Sequence, residues 1–104
     1  LVERAIREYP DLKGIFAVSA IGHKSADYLH DKGLKSGIAF IGYDLVDDNV
    51  RCLRDGRIDC LISQRPEEQG RLVMQQIYRK IVLEEATTSL IDMPIDIYFK
   101  ENLL

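Results

Sequence analysis

An α/β fold built on a mostly parallel sheet is what this 104-residue sequence predicts. Short apolar runs alternate with amphipathic helical patterns from one end of the chain to the other, the signature of strand–helix units. The central runs, such as "IAFIG", are apolar on both faces, which predicts burial under helices on both sides of the sheet. Gly or Pro closes several of the helical patterns, so the units are punctuated as separate elements.

The elements follow in order. From Val2 to Tyr9 the apolar residues Val2, Ala5, Ile6 and Tyr9 have helical spacing, and Pro10 ends the run. "KGIFAVS" is a strand introduced by Gly14. "HKSADYLHDKG" is a helix with Ala26, Tyr28 and Leu29 on one side and Gly33 as its stop. The unit then recurs. "GIAFIGYD" is a strand and "VDDNVRCLRDG" a helix, with Asp47 and Asp48 in the first turn, where carboxylates complement the helix dipole, and Gly56 after the last. "IDCLIS" is a third strand. Glu67 to Leu83 is the longest helical pattern, opened by Pro66 and striped by Leu72, Val73, Ile77 and Ile81. "IDIYFKE" supplies a fourth strand.

Composition narrows the function classes. The hydrophobic share of 46% and charged share of 30% are those of a globular chain of one domain. The net charge is −3 and the basic residues are scattered, so direct nucleic-acid binding by these residues is not expected. No apolar run approaches the ~20 residues of a membrane span, and "LVERAIREYP" is amphipathic rather than a secretion signal. Cys52 and Cys60 lack metal-site spacing; the expected role is two small buried apolar residues in a reducing compartment, with a disulfide left open.

Ligands of open α/β sheets bind outside the carboxyl ends of the strands. Three strands here end in hydrogen-bonding groups, Ser19 after "IFAV", Asp44 after "FIGY" and Gln64 after "LIS". A hydroxyl, a carboxylate and an amide beside the Tyr43 ring suit a neutral polyol, whose hydroxyls donate and accept and whose C–H face stacks on aromatics. Each residue also has a plainer role. Asp44 fits a helix cap, Gln64 a solvated loop, Ser19 a turn and Tyr43 the core. His23 and His30 are spaced to share a helix face, but no third ligand accompanies them and no metal is expected. The G-x-S-x-G, P-loop and G-x-G-x-x-G motifs are absent, so no enzyme and no cofactor are expected. A phosphoacceptor receiver domain also places Asp at a strand end, but it needs an acidic pair after an earlier strand, and the earlier strand here ends in Val18-Ser19-Ala20.

With those residues in place, the chain resembles the C-terminal part of a type I periplasmic-binding-protein fold, the effector-binding domain shared by sugar transport receptors and LacI/GalR-family transcription regulators. The resemblance rests on "PDLKGIFAVSAIGHKSADYLHDKGL", on "IAFIGYD" and on "LRDGRIDCLISQRPEEQGRLVMQQI", in that order, and covers all 104 residues. It implies that Asp44 accepts hydrogen bonds from ligand hydroxyls, that Tyr43 takes the aromatic place before it and that Gln64 offers its amide near a hinge. Ser19 and Ala20 stand where the family usually has Asn and Asp, so the polar contact set is reduced.

The same resemblance implies a segment of a two-lobed domain more than twice this length. Residues 1–65 would belong to the C-terminal lobe, residues 66–84 would form a helix lent to the other lobe, and residues 85–104 would form a returning strand and tail. The helix stripe would then be exposed, and the isolated segment would self-associate. The implied function is sugar or other effector binding in a cytoplasmic, homodimeric regulator that touches DNA only through an absent N-terminal helix-turn-helix and does not contact a membrane. The alternative is an extracytoplasmic sugar receptor of a transporter or membrane sensor. "IDMPIDIYFKENLL" resembles the closing strand of the regulators and tilts the expectation to them.

Overall fold

The computed structural model describes Leu1–Leu103. Four helices and four strands alternate: α1 (Val2–Glu8), β1 (Gly14–Phe16), α2 (Gly22–Asp31), β2 (Ala39–Tyr43), α3 (Asp47–Arg54), β3 (Cys60–Ser63), α4 (Pro66–Ile81) and β4 (Asp96–Tyr98), followed by a 3₁₀ turn at Lys100–Asn102. The sheet order is β1-β2-β3-β4. The first three strands are parallel and β4 is antiparallel to β3, with Ile15 beside Phe40, Gly42 beside Leu61 and Ile62 beside Ile97. The alternation read from the sequence is the alternation observed.

Local chemistry explains the boundaries. Acidic residues open α3 and α4 and basic residues close both, which complements the backbone dipole at each end. Pro66 stands in the first turn of α4, where its missing N–H costs nothing. Gly56 takes a φ of +78° directly after α3, a conformation that a side chain would disfavour.

One expectation is corrected. Helices cover only one face of the sheet. Ala26 and Leu29 of α2, Cys52 and Leu53 of α3, Ile58, Phe40 of β2 and Leu61 of β3 form a single buried cluster, with Val2 and Ile6 of α1 packed against it. The reason is topological. Successive crossovers between parallel strands are right-handed, so an order that steps one way, β1 to β2 to β3, returns each helix to the same face. The apolar residues that suggested a second helical layer face outward instead: Phe16, Ile41 and Ile97 remain exposed on the other face.

The long helix α4 stands away from this core. Val73, Met74, Ile77, Tyr78 and Ile81 are exposed along it. The radius of gyration is 18.1 Å, against about 13 Å for a compact domain of this size. The chain is therefore a packed α/β layer from which one helix projects. Among the described residues no helix is long and apolar enough to cross a membrane.

Candidate functional site

Parallel pairing of β1, β2 and β3 carries their carboxyl ends, and the segments that follow, to one rim of the sheet. The β1 segment continues past Phe16, with the Ala17 N–H donating to Ile41 O at 2.9 Å, and then turns outward through exposed Val18 and Ser19 into α2. The β2 segment ends at Tyr43 and turns at Asp44. The β3 segment ends at Ser63 and passes through exposed Gln64 and Arg65 into α4.

Asp44 is the least ordinary of these residues. Its φ is +68°, in the left-handed region that non-glycine residues seldom occupy. The conformation is fixed from both sides: the Asp44 N–H donates to Ile62 O at 2.7 Å, and its own carbonyl accepts from Asn49 Nδ2 at 3.1 Å. The side chain does not cap α3. That helix begins after Val46 and has no side-chain cap. Instead, Asp44 Oδ1 is buried and has no hydrogen-bond partner. An unpaired buried carboxylate oxygen costs more than an apolar replacement would, and this one stands in a strained loop.

Tyr43 is half-buried on the face away from the core, where its ring lies 6.2 Å from that of Phe16, at 37°. The pair forms an aromatic surface beside the rim. The exposed Gln64 side chain is free of intramolecular bonds among those observed for the described residues, while its carbonyl accepts from Gln69 Nε2 at 2.8 Å and ties the loop to α4. Ser19 is exposed and also lines a groove of about 480 Å³ along the unpaired edge of β1. A second concavity, of about 320 Å³, lies between α4 and the segment before β4, away from the rim.

Two residues that the sequence did not single out organise this rim. Arg65, between β3 and α4, also has a left-handed backbone, at φ +56°. Its guanidinium holds Asp96 of β4 through two bonds, Nε–Oδ2 at 2.7 Å and an Nη–Oδ1 contact at 3.0 Å. That pair joins the segment leaving the sheet for α4 to the strand that returns, and the Arg65 hydrogen bond lowers the Asp96 carboxyl below its usual range. Asn49, fully buried in α3, reaches both loops. Its sequence signal was a polar residue on the same stripe as Cys52 and Leu53, three and four positions on.

Elsewhere the ionisable groups are structural. Asp27 of α2 binds Arg51 at 2.9 Å and Arg57 at 2.6 Å, and these bonds, the Arg51 one foremost, hold its carboxyl well below the usual range. Burial pushes the Cys52 thiol up to about 11 and raises Cys60, so both are neutral thiols at physiological pH. Both are free. His23 is tied to Asn49, His30 is exposed, and no group of three His, Cys, Asp or Glu among the described residues is placed to hold a metal.

Comparison with known proteins adds a frame to this geometry. Residues 1–85 match the family model described as a periplasmic binding protein domain. The xylose/arabinose-binding protein XylF of Sulfolobus acidocaldarius is 33% identical over 87 residues, which cover 78% of this chain and 22% of that protein. A candidate LacI transcriptional regulator from Bacteroides fragilis superposes with a TM-score of 0.87 at 33% identity, over 97% of this chain and 35% of its own. An ABC-transporter solute-binding protein from Burkholderia graminis, crystallised with D-arabinose, also gives 0.87, at 30% identity over 97% of this chain and 36% of its own. The chain thus spans between about a fifth and just over a third of the length of these relatives.

Proposed function

The chain belongs to the periplasmic binding protein domain family, and on that premise we propose that it contributes one wall of a sugar-binding cleft, with Asp44 as the principal acceptor for ligand hydroxyls. The observation that carries this reading is the buried, unpartnered Oδ1 of Asp44, held in a strained loop at the carboxyl end of β2. Gln64 and Ser19 offer an amide and a hydroxyl on neighbouring loops, and Tyr43 with Phe16 provides the aromatic surface. Relatives whose names or ligands are pentoses make D-arabinose and D-xylose the first sugars to test.

Residues 1–65 serve in this reading as part of one lobe, residues 66–84 as the helix given to a second lobe and residues 85–104 as the returning strand. The projecting α4, with its exposed apolar residues, supports that division. The Arg65–Asp96 pair would sit at the crossing between the lobes.

We place the protein among LacI-like transcription regulators, acting as a cytoplasmic homodimer in which ligand closure of the lobes alters DNA binding by an N-terminal module. The regulator from Bacteroides fragilis and the form of the closing strand support this. An extracytoplasmic receptor is the second reading, favoured by the xylose/arabinose-binding relative. Calorimetry of the natural full-length protein with a pentose and hexose panel tests the sugar site. Saturable binding that Asp44→Asn weakens at least tenfold, or ~1.4 kcal/mol, is the expected result; unchanged affinity would remove Asp44 from the site. Sequencing the natural protein upstream of Leu1 separates the two readings, a helix-turn-helix supporting the regulator and a cleaved secretion signal the receptor.

A further inference from the structure

Asn49 is fully buried in α3, yet every polar atom of its side chain is engaged. Nδ2 donates to Tyr43 O at 2.8 Å, Asp44 O at 3.1 Å and Ala20 O at 3.2 Å. Oδ1 accepts from the His23 N–H at 3.0 Å and lies 3.2 Å from His23 Nδ1. The partners fix the orientation of the amide, because three carbonyl oxygens require the NH₂ group and the His23 N–H requires the oxygen. Because that oxygen only accepts, a hydrogen bond to the His23 ring requires a hydrogen on Nδ1.

These partners come from two loops. Ala20, directly after Ser19, and His23, in the first turn of α2, lie where β1 passes into that helix, and Tyr43, the last residue of β2, and Asp44 lie where that strand ends. One planar amide therefore sets the distance between the loops. It also grips the carbonyls of Tyr43 and Asp44, the peptide groups before and after the Asp44 backbone that is strained at φ +68°. A left-handed non-glycine residue persists only where its surroundings over-determine it. At Asp44 those surroundings are the Ile62 carbonyl on one side and Asn49 on the other.

The geometry points to Asn49 as a positioning residue for ligand recognition: it holds the Ser19 and Asp44 loops at the spacing in which both can address one ligand, without touching the ligand itself. This inference rests on the sugar-site reading above. Asn49→Asp keeps the shape and the oxygen toward His23 but sets a carboxylate oxygen against three carbonyls, and Asn49→Ala removes every bond.

Both variants are to be made in the natural full-length protein and titrated with D-arabinose and D-xylose at a temperature where circular dichroism shows them folded. At least a tenfold loss of affinity is expected. Asp44→Asn combined with Asn49→Asp should lose less than the sum of the two single losses, because Asn49 acts in part through that residue. Asn49 variants that bind as wild type while Asp44→Asn is weakened would overturn the positioning role. Asp44→Asn binding as wild type would instead sink the sugar-site assignment.

Hydrogen exchange reads the clamp without a sugar. Asn49→Ala should speed exchange in residues 19–23 and 44–46 together while β2 and β3 stay protected. A uniform rise over the chain, or one confined to α3, would overturn the inference. If neither variant folds, the wild-type Asn49 side-chain NH₂ decides the matter by NMR: slow exchange that changes on sugar addition supports the clamp, and solvent-like exchange refutes it.

Discussion

The ends of β2 and β3 look alike in backbone and differ in what their side chains do. Asp44 and Arg65 both follow parallel neighbouring strands, both carry charge, and both adopt a left-handed conformation that non-glycine residues avoid. Arg65 spends its charge inside the chain, on two bonds to Asp96. Asp44 leaves a buried oxygen without a partner. Strain alone therefore does not identify a binding residue. At Arg65 it accompanies an internal ion pair that joins two segments, whereas at Asp44 one buried oxygen has no partner among the described residues.

The comparison breaks most sharply at Asp44. Asp44→Ala should lower sugar affinity about a hundredfold, the loss of roughly two charge-assisted hydrogen bonds less what water returns. The same change should move the thermal midpoint little, because removal of an unpaired buried oxygen offsets the cost of alanine at a left-handed φ. A lower midpoint with normal affinity, by calorimetry and thermal denaturation in parallel, would mean that Asp44 serves the fold.

Next in size is Gly42→Ala, which tests whether β2 must sit where it does. A Cβ there would come within 2.8 Å of Leu61 Cδ2 and 3.4 Å of Ile58 Cδ1, both side chains being buried. Overpacking at this site is expected to cost about 2 kcal/mol in chemical denaturation. It should also weaken sugar binding through the displaced Asp44, while the Arg65–Asp96 pair on the neighbouring strand persists.

The smallest effect belongs to Asp96→Asn. The pair it breaks is partly exposed, so the stability change should be modest and affinity should move by less than about tenfold. Its pH dependence is the sharper readout. The folded-state pKa of Asp96 is lowered by the Arg65 hydrogen bond, so the stabilisation is complete above the ordinary Asp value near 4 and fades as the pH falls below it. The stability difference between wild type and Asp96→Asn should therefore close in acid. A difference that persists there would show that the pair is not the source.

Much of the molecule was legible in advance because its signals are local. Helical spacing located α1 through α4 to within a residue or two, and the apolar runs located the strands. The cysteines proved buried and free, as their helix and strand contexts suggested. The covered face was legible in part, since Ala26 and Leu29 follow from periodicity and both are buried. The second face carries no helix among the described residues. "IAFIG" is equally apolar on both sides, and alternation in one strand cannot say which side receives a helix; the one-way strand order with right-handed crossovers decides that.

At the rim the division is finer. The sequence could put Ser19, Asp44 and Gln64 at the ends of three strands, because strand ends are marked by where apolar residues give out. It left Asp44 open between helix cap and ligand acceptor. Only the folded chain rejects the cap, since α3 starts too late and the carboxylate oxygen faces no donor. Asn49 and the Arg65–Asp96 pair were out of reach for the same reason. The Asn49 partners around the start of α2 lie 26 and 29 residues away and Asp96 lies 31 from Arg65, and contacts over such separations leave no period or motif behind. The order of elements and the polar residues that end the strands are written in local pattern; which of those residues are already satisfied emerges only in the folded chain, because satisfaction depends on groups that only folding brings within hydrogen-bond reach.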